Sequence, residues 1–461
     1  MSASVSNVRT LHSGGALSAD GSTIARYRDA FALAQSQLPG QNLSWLQGVR
    51  LAALAEFSEI GLPKPRDENW KYTRIAAIER RNFTLSMPSE HIRADVSALL
   101  FDNELKAHQL VFVDGIYRAD LSTLTALPIG ALICDLRRAF DEHAQSVAPF
   151  FSGGGQHEHG FTALNTAFAA DGVLIKLDEG VHIDQPVHLL FVASVANETI
   201  AHPRIVIDCA AHAQLTVVEH FAALGEASNF NNAMTQVSLA DGAALTHYKL
   251  QREATTAFHV ATLAVEQQRN SSFISHSVSI GAALARNDIN VMFAAPDSHC
   301  TMNGLYMTNG RQHVDYHTRV DHAQPSCTSN QDYRGILSGR SRGVFNACAY
   351  VHPNAQQSDA TQSNKNLLLS NDAEIDTKPQ LEIYADDVKC AHGVTVGQLD
   401  EEKVFYLRSR GINESTARGL LTFGFAREVL DRMQIDPVRE TVTQALLDQL
   451  PNGAELRSML G

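Results

Sequence analysis

Between Val173 and Leu399 the sequence predicts a β-solenoid, with helical segments before and after it. Three observations carry that reading. Short runs of four to seven apolar or β-branched residues alternate with small polar turns, and long helical stripes are absent. One pattern then recurs: a hydrophobic entry, a tight Ala/Asp/Gly/Ser turn, and a residue that restarts a strand. It falls at Ala211–Leu215, Leu239–Leu245, Glu266–Phe273, Ala294–Cys300, Asp321–Cys327, Leu337–Gly343, Leu369–Ile375 and Tyr384–Cys390. The steps are 27 to 30 residues at first, then 16, 32 and 15, and so cluster near multiples of 15. That suits stacked coils. A sandwich would signal turns every 8–12 residues and carry more aromatics than the 7% present. A narrow core of Val, Ile, Leu and Ala is expected instead.

The flanks read as helices. Ser22 can cap a segment in which Ile24, Tyr27, Phe31, Ala34 and Leu38 recur at helical spacing, before Pro39-Gly40 stops it. Ser44 can cap a second, with Leu46, Val49, Ala53, Phe57 and Ile60 on one stripe and Gly61-Leu62-Pro63 ending it. A strand at Gln109–Val113 and a turn at Asp114-Gly115 follow. The run Ser152-Gly153-Gly154-Gly155 reads as a loop; no Gly-Lys-Ser/Thr makes it a phosphate cradle. After Leu399, Asp400-Glu401-Glu402 forms an acidic first turn for a helix through Val404, Phe405 and Leu407, closing at Arg408, Arg410 and Gly411. Asn413 can cap a helix with Leu421, Phe425, Val429 and Met433 in one row. Asp436-Pro437 opens the next, through Val438, Val442, Leu446 and Leu450. These helices are expected to cover the last coil, whose edge would otherwise stand unpaired. The expected units are residues 1–104 (helical), 105–398 (solenoid with a short α/β lead-in) and 399–461 (helical).

Composition excludes several classes. With 37 Lys+Arg against 50 Asp+Glu the net charge is −13, unsuited to neutralising nucleic-acid phosphates. Hydrophobic content of 44% supports a packed core. No apolar run approaches the roughly 18 residues of a membrane span; the best, Leu189–Ala196, is strand length. The N-terminus lacks the apolar core of a secretory signal. Six Cys (134, 209, 300, 327, 348, 390) form no CxxC pair, which argues against a zinc ribbon or a disulfide framework. A cytoplasmic protein with reduced thiols is expected. Twenty His are left without a role.

Candidate chemistry is sparse. His313, Asp315 and His317, at i, i+2, i+4, share one face of a strand and, with His322, resemble a His/carboxylate metal site. No third ligand at defined spacing completes it, so a polar, solvent-facing ladder is the plainer reading. Asp386-Asp387 suggests glycoside or pectin chemistry, but adjacent strand residues diverge, and a turn into the next coil accounts for them. Trp70, Lys71 and Tyr72, following Pro63-Lys64-Pro65, suit docking on the solenoid or on a partner alike. Cys390 and His392 lie at i, i+2 on one strand face, within reach of one metal ion. Thiolate and imidazole together suit iron–sulfur or zinc chemistry. Two ligands fill no coordination sphere, so the residues alone favour a structural role.

The surrounding sequence changes that balance. Tyr333–Leu337, Ser341–Asn346, Asp359–Gln362, Asn366–Ser370, Lys378–Ile383, Asp386–Cys390 and Val404–Ile412 together resemble the SufB/SufD family of iron–sulfur cluster assembly proteins. Weaker matches at Asn69–Thr73 and Leu164–Phe168 extend the resemblance over most of the chain. Cys390-Ala391-His392-Gly393 and the segment Pro65–Thr73 look like the SufD branch; Ala391 and Val394 stand where that branch usually has Ser and Ala. The resemblance implies a right-handed parallel β-helix between helical domains. It implies a non-catalytic scaffold that pairs with a SufB-like paralogue through the β-helix and with a SufC-like ATPase through the C-terminal helices. His392 and Cys390 would then contribute to a transient iron–sulfur cluster shared with the partner, none being stably held by the isolated chain. A homodimer in isolation is compatible with the same edge. A flavin is associated with such complexes, though no sequence feature here specifies its pocket. Without a Walker motif, ATP hydrolysis belongs to the partner. The competing readings are a β-helix polysaccharide lyase or hydrolase, disfavoured by few aromatics and no export signal, and a stand-alone metalloenzyme built on His313, Asp315 and His317.

Overall fold

The computed structural model describes residues 23–86, 96–101, 105–152, 159–194 and 198–460. Ser22 and Gly153–Gly155 lie outside them. Two long sheets run side by side through the molecule, and the chain alternates between them. One sheet takes Gly172–Leu177, Arg204–Cys209, Phe230–Leu239, Phe258–Gln267, Leu284–Phe293, His313–His322, Arg342–Val351 and Glu374–Ile383. The other takes Val187–Ala193, Gln214–Ala223, Ala244–Arg252, Ser272–Ser279, His299–Thr308, Thr328–Leu337, Asp359–Leu368 and Lys389–Gly397. Each strand pairs in parallel with the strand one coil away, and registered pairs such as Phe258↔Leu284 and Arg342↔Glu374 give coils of 26 to 32 residues. The half-coil, one strand plus one turn, is the period near 15 read from the sequence. This is a β-solenoid of about seven turns. It begins at His108–Val113, in parallel with Val187–Ala193, and at Ala131–Asp135, antiparallel to Gly172–Leu177.

Along one edge of the solenoid the recurring tight turn has a single physical form. One residue in each of six successive turns there takes a positive φ: His212 (61°), Gly242 (68°), Asn270 (56°), Asp297 (65°), Ser326 (60°) and Gln357 (60°). The N–H of each donates to a carbonyl in the turn of the next coil, from His212 to Asp241 at 2.9 Å through to Gln357 to Asp387 at 2.6 Å. The turns therefore stack as a ladder of their own. Short polar residues tolerate this left-handed geometry best, which is why the turn pattern was visible.

The lumen is only partly the aliphatic core that was expected. Early coils pack Val, Ile and Leu, with a ring stack of Phe112, Phe191 and Phe221 at 4.8 Å centroid spacings. Later coils bury Tyr306, Tyr316, Tyr333 and Phe345. Gly304 and Gly335 make room for two of these: a Cβ on Gly304 would lie 2.0 Å from the Tyr333 ring, and one on Gly335 2.3 Å from that of Tyr306.

The helices depart from expectation in register and in position. Thr23–Ala34 and Ser44–Ile60 form as expected, and Gly61 (φ 68°) ends the second. Leu43, not Ser44, is its N-cap, without a side-chain cap bond. After the solenoid come Glu401–Ser409, capped by Asp400, and Glu414–Leu430, capped by Asn413. Asp436–Gln449 follows with Ile435 as N-cap and Pro437 in its first turn, then Gly453–Leu460. In Glu414–Leu430 the buried face is Phe423, Ala426, Val429 and Leu430, continued by Met433, while Leu421 and Phe425 are half-buried.

These helices do not cover the last coil. Their buried side chains pack instead on Tyr248, Leu250, Val278, Ile280, Leu305, Met307 and Ile336, on the outer face of the second sheet. Buried Arg334 fastens them, donating to the Phe425 carbonyl at 2.8 Å and pairing with Glu428. Arg432 adds an ion pair to Asp332 at 2.6 Å and a hydrogen bond to Asn303 at 2.7 Å. These middle strands carry apolar residues on their outer face, and the helices remove them from water.

Candidate functional site

Glu374–Ile383 and Lys389–Gly397 form the last coil, and no described strand pairs with their far edges. The end of the lumen is open there. Ile383, Tyr384, Val394 and Val396 are exposed on this coil.

Cys390 and His392 both belong to Lys389–Gly397, and the register shows where they face. Cys390 stands above Ala360, Ser329, Cys300, Phe273 and Leu245, of which the last three are core residues. His392 stands above Gln362, Gln331, Met302, Ser275 and His247. Both side chains therefore occupy the inward face of the open end. Cys390 is half-buried against the small cluster of Val351, Ala355 and Ala385, while His392 is exposed. Burial raises the Cys390 thiol above its ordinary pKa, and the nearby Asp359 carboxylate adds to the effect against one opposing backbone hydrogen bond. The chain thus presents a protonated thiol beside an accessible imidazole. That is a weak site by itself, since metal binding needs the thiolate.

The other candidates resolve differently. His313, Asp315 and His317 do share a face, but it is covered, not solvent-facing. Thr73 hydrogen bonds with His313 Nε2 at 2.8 Å and donates to Asp315. Arg286 pairs with Asp315 and with Asp288, each at 2.6 Å, and donates to the Asn69 carbonyl at 2.7 Å. Trp70 lies on the Arg286 guanidinium at 3.8 Å. The 69–73 segment has thus docked on the solenoid, where a buried cation and two carboxylates satisfy one another. Burial opposes ionisation of Asp315, but Arg286 and the neighbouring imidazoles outweigh it and hold the carboxyl at about 2. His322 points inward and bonds with Ser329 at 2.8 Å. No group of three His, Cys, Asp or Glu among the described residues is placed to hold a metal. Asp386 and Asp387 sit exposed in the turn before the last strand, as their spacing suggested.

Sequence reasoning missed the polarity of the lumen. Glu219 faces His247 at 3.2 Å and accepts from Thr235 at 2.8 Å, Glu253 faces His259 at 3.0 Å, and Lys249 donates to Asn287 at 2.6 Å. Burial pushes Lys249 down to about 8. These groups are buried but mutually compensated, as a closed interior requires. Alternation along single strands gave no sign of them, because both faces of most coils are covered.

Two family models match the chain: the SufBD protein N-terminal region over residues 22–189, and the SufBD core domain of the SUF system for FeS cluster assembly over residues 191–425. The iron–sulfur cluster assembly protein SufD of Escherichia coli is 33% identical over 87% of this chain and 92% of its own length. A SufBD family protein of Synechocystis is 31% identical over 89% and 93%, and the SufD of Bacillus subtilis 25% identical over 88% and 94%. With both regions matched and such relatives aligned along most of its length, the chain belongs to the SufBD family of iron–sulfur cluster assembly proteins.

Proposed function

We propose that the chain is a non-catalytic scaffold subunit which contributes Cys390 and His392 to a nascent iron–sulfur cluster, held jointly with a SufB-like partner across the open end of the β-helix. One observation carries this reading. The thiol and the imidazole face inward on the last strand of an unpaired coil, where a second β-helix can continue both sheets and supply the missing ligands. A strand edge of this kind is a template for pairing, and its exposed Val394 and Val396 favour cover by another chain. Incomplete ligation suits a scaffold, whose cargo has to leave. The same edge admits a second copy of this chain in isolation. No described helix is long and apolar enough to cross a membrane, and the assembly is read as cytoplasmic.

We assign the docking of a SufC-like ATPase to the C-terminal helices. Arg334 and Arg432 tie those helices to strands Thr328–Leu337 and His299–Thr308, so movement of the helices would be felt two coils from the open end. Energy enters with ATP at the partner; this chain carries the motion. A flavin, if the complex uses one, is assigned no pocket.

The test is co-expression with SufB and SufC homologues. His392→Ala is expected to abolish cluster formation while the ternary complex still assembles. Undiminished cluster yield from that variant would refute the site.

A further inference from the structure

One coil below His392 the lumen holds a side chain whose hydrogen-bonding capacity the protein leaves unused. Gln362 is in register with His392 and is 2% exposed. Neither its amide nitrogen nor its carbonyl oxygen has a hydrogen-bond partner among the described residues. A buried amide left in that state destabilises the fold, so its presence needs a reason.

The coil beneath differs at the carbonyl. Gln331, in register with Gln362, accepts from Thr318 Oγ1 at 2.6 Å across the lumen, while its amide nitrogen has no partner among the described residues. One coil up, Ala347 replaces Thr318, and above it stands Pro379. The opposing sheet withdraws its hydroxyl at the two tiers that carry Gln362 and His392. Nearby luminal amides are fully engaged: Asn366 donates to Asn364 at 2.6 Å, and Asn364 accepts from Thr377 at 3.0 Å and donates to the Tyr333 carbonyl at 3.2 Å. Among the described residues, Gln362 has neither side-chain group engaged at this level.

We infer that Gln362 is a positioning residue of the cluster site: its carbonyl accepts the second ring N–H of His392, and its NH₂ donates to a sulfur anion of the cargo held there. The inference rests on the site reading above. A neutral amide suits this role, because it orients an imidazole and stabilises charge on sulfur without competing as a ligand.

The experiment uses the complex with SufB and SufC homologues, carrying Gln362→Leu, Gln362→Met or His392→Ala. Both Gln362 variants should assemble normally, with Met covering the case in which the branched side chain disturbs the coil. Each should lose its cluster to a chelator roughly tenfold faster. Each should also shift the cluster's reduction potential to more negative values, since a donor to sulfur favours the electron-rich form. A merely structural residue would not move the potential. If His392→Ala abolishes the cluster while both Gln362 variants match wild type in lifetime and potential, the role of Gln362 is refuted and the site stands. If His392→Ala also leaves the cluster intact, the site reading fails and this inference fails with it.

Discussion

Cys390 and His392 differ in what surrounds them, although one residue separates them. The thiol is half-buried and pushed upward by burial and by Asp359; the imidazole is exposed. Since the thiolate is the nucleophile, Cys390 in the isolated chain should alkylate more slowly than an unhindered thiol at neutral pH. Its rate should still be climbing at pH values where a free thiol has levelled off. Peptide-resolved mass spectrometry after timed iodoacetamide treatment checks this; a rate plateau below the ordinary thiol range would contradict it. The spacing of this pair was legible in the sequence. The placement of Gln362 was not, because its idleness depends on Ala347, which is distant in sequence and follows Thr318 in register.

At the scale of elements, the helix Glu414–Leu430 is held less by its own sequence than by what it meets. Its cap was legible in Asn413, which accepts from Thr416 N. Its buried face was not, since the choice between neighbouring rows depends on the sheet beneath. Arg334 sits at that contact, buried, with its guanidinium 5.0 Å from the Phe425 ring and its donors on the Phe425 carbonyl and on Glu428. Arg334→Ala is expected to destabilise by about 2 kcal/mol, most of it from the charge-assisted bond to a carbonyl left without its donor. Glu428 is largely solvated, and Glu428→Gln should cost far less. Urea unfolding of both variants decides the matter: equal losses would show that the ion pair, not the buried hydrogen bond, fastens the helices.

Across the whole molecule, the surplus of histidine has a structural explanation. Burial lowers His188 and His202 to about 3, and His276, His313 and His322 to about 4. In the unfolded chain the same groups titrate near 6.5. Between those values the unfolded state takes up protons that the fold refuses. Stability is therefore complete above about pH 6.5 and falls as pH drops toward 4, by up to about 1.4 kcal/mol per pH unit for each such histidine. Depressed carboxylates such as Asp315, at about 2, extend the loss only at lower pH. Denaturant midpoints at pH 7.5 and 5 should differ clearly, with the lower one at pH 5; equal midpoints would show that these rings are not held neutral.

The sequence by itself determined the solenoid, its half-coil period, the helical flanks and the Cys-x-His pair, because each rests on local periodicity, turn chemistry or residue spacing. Only the tertiary structure decided which coil is left open, where the C-terminal helices dock, and which polar groups meet inside the lumen. Those outcomes depend on register between strands 26 to 32 residues apart and on competition between burial surfaces, and neither is encoded within any one strand.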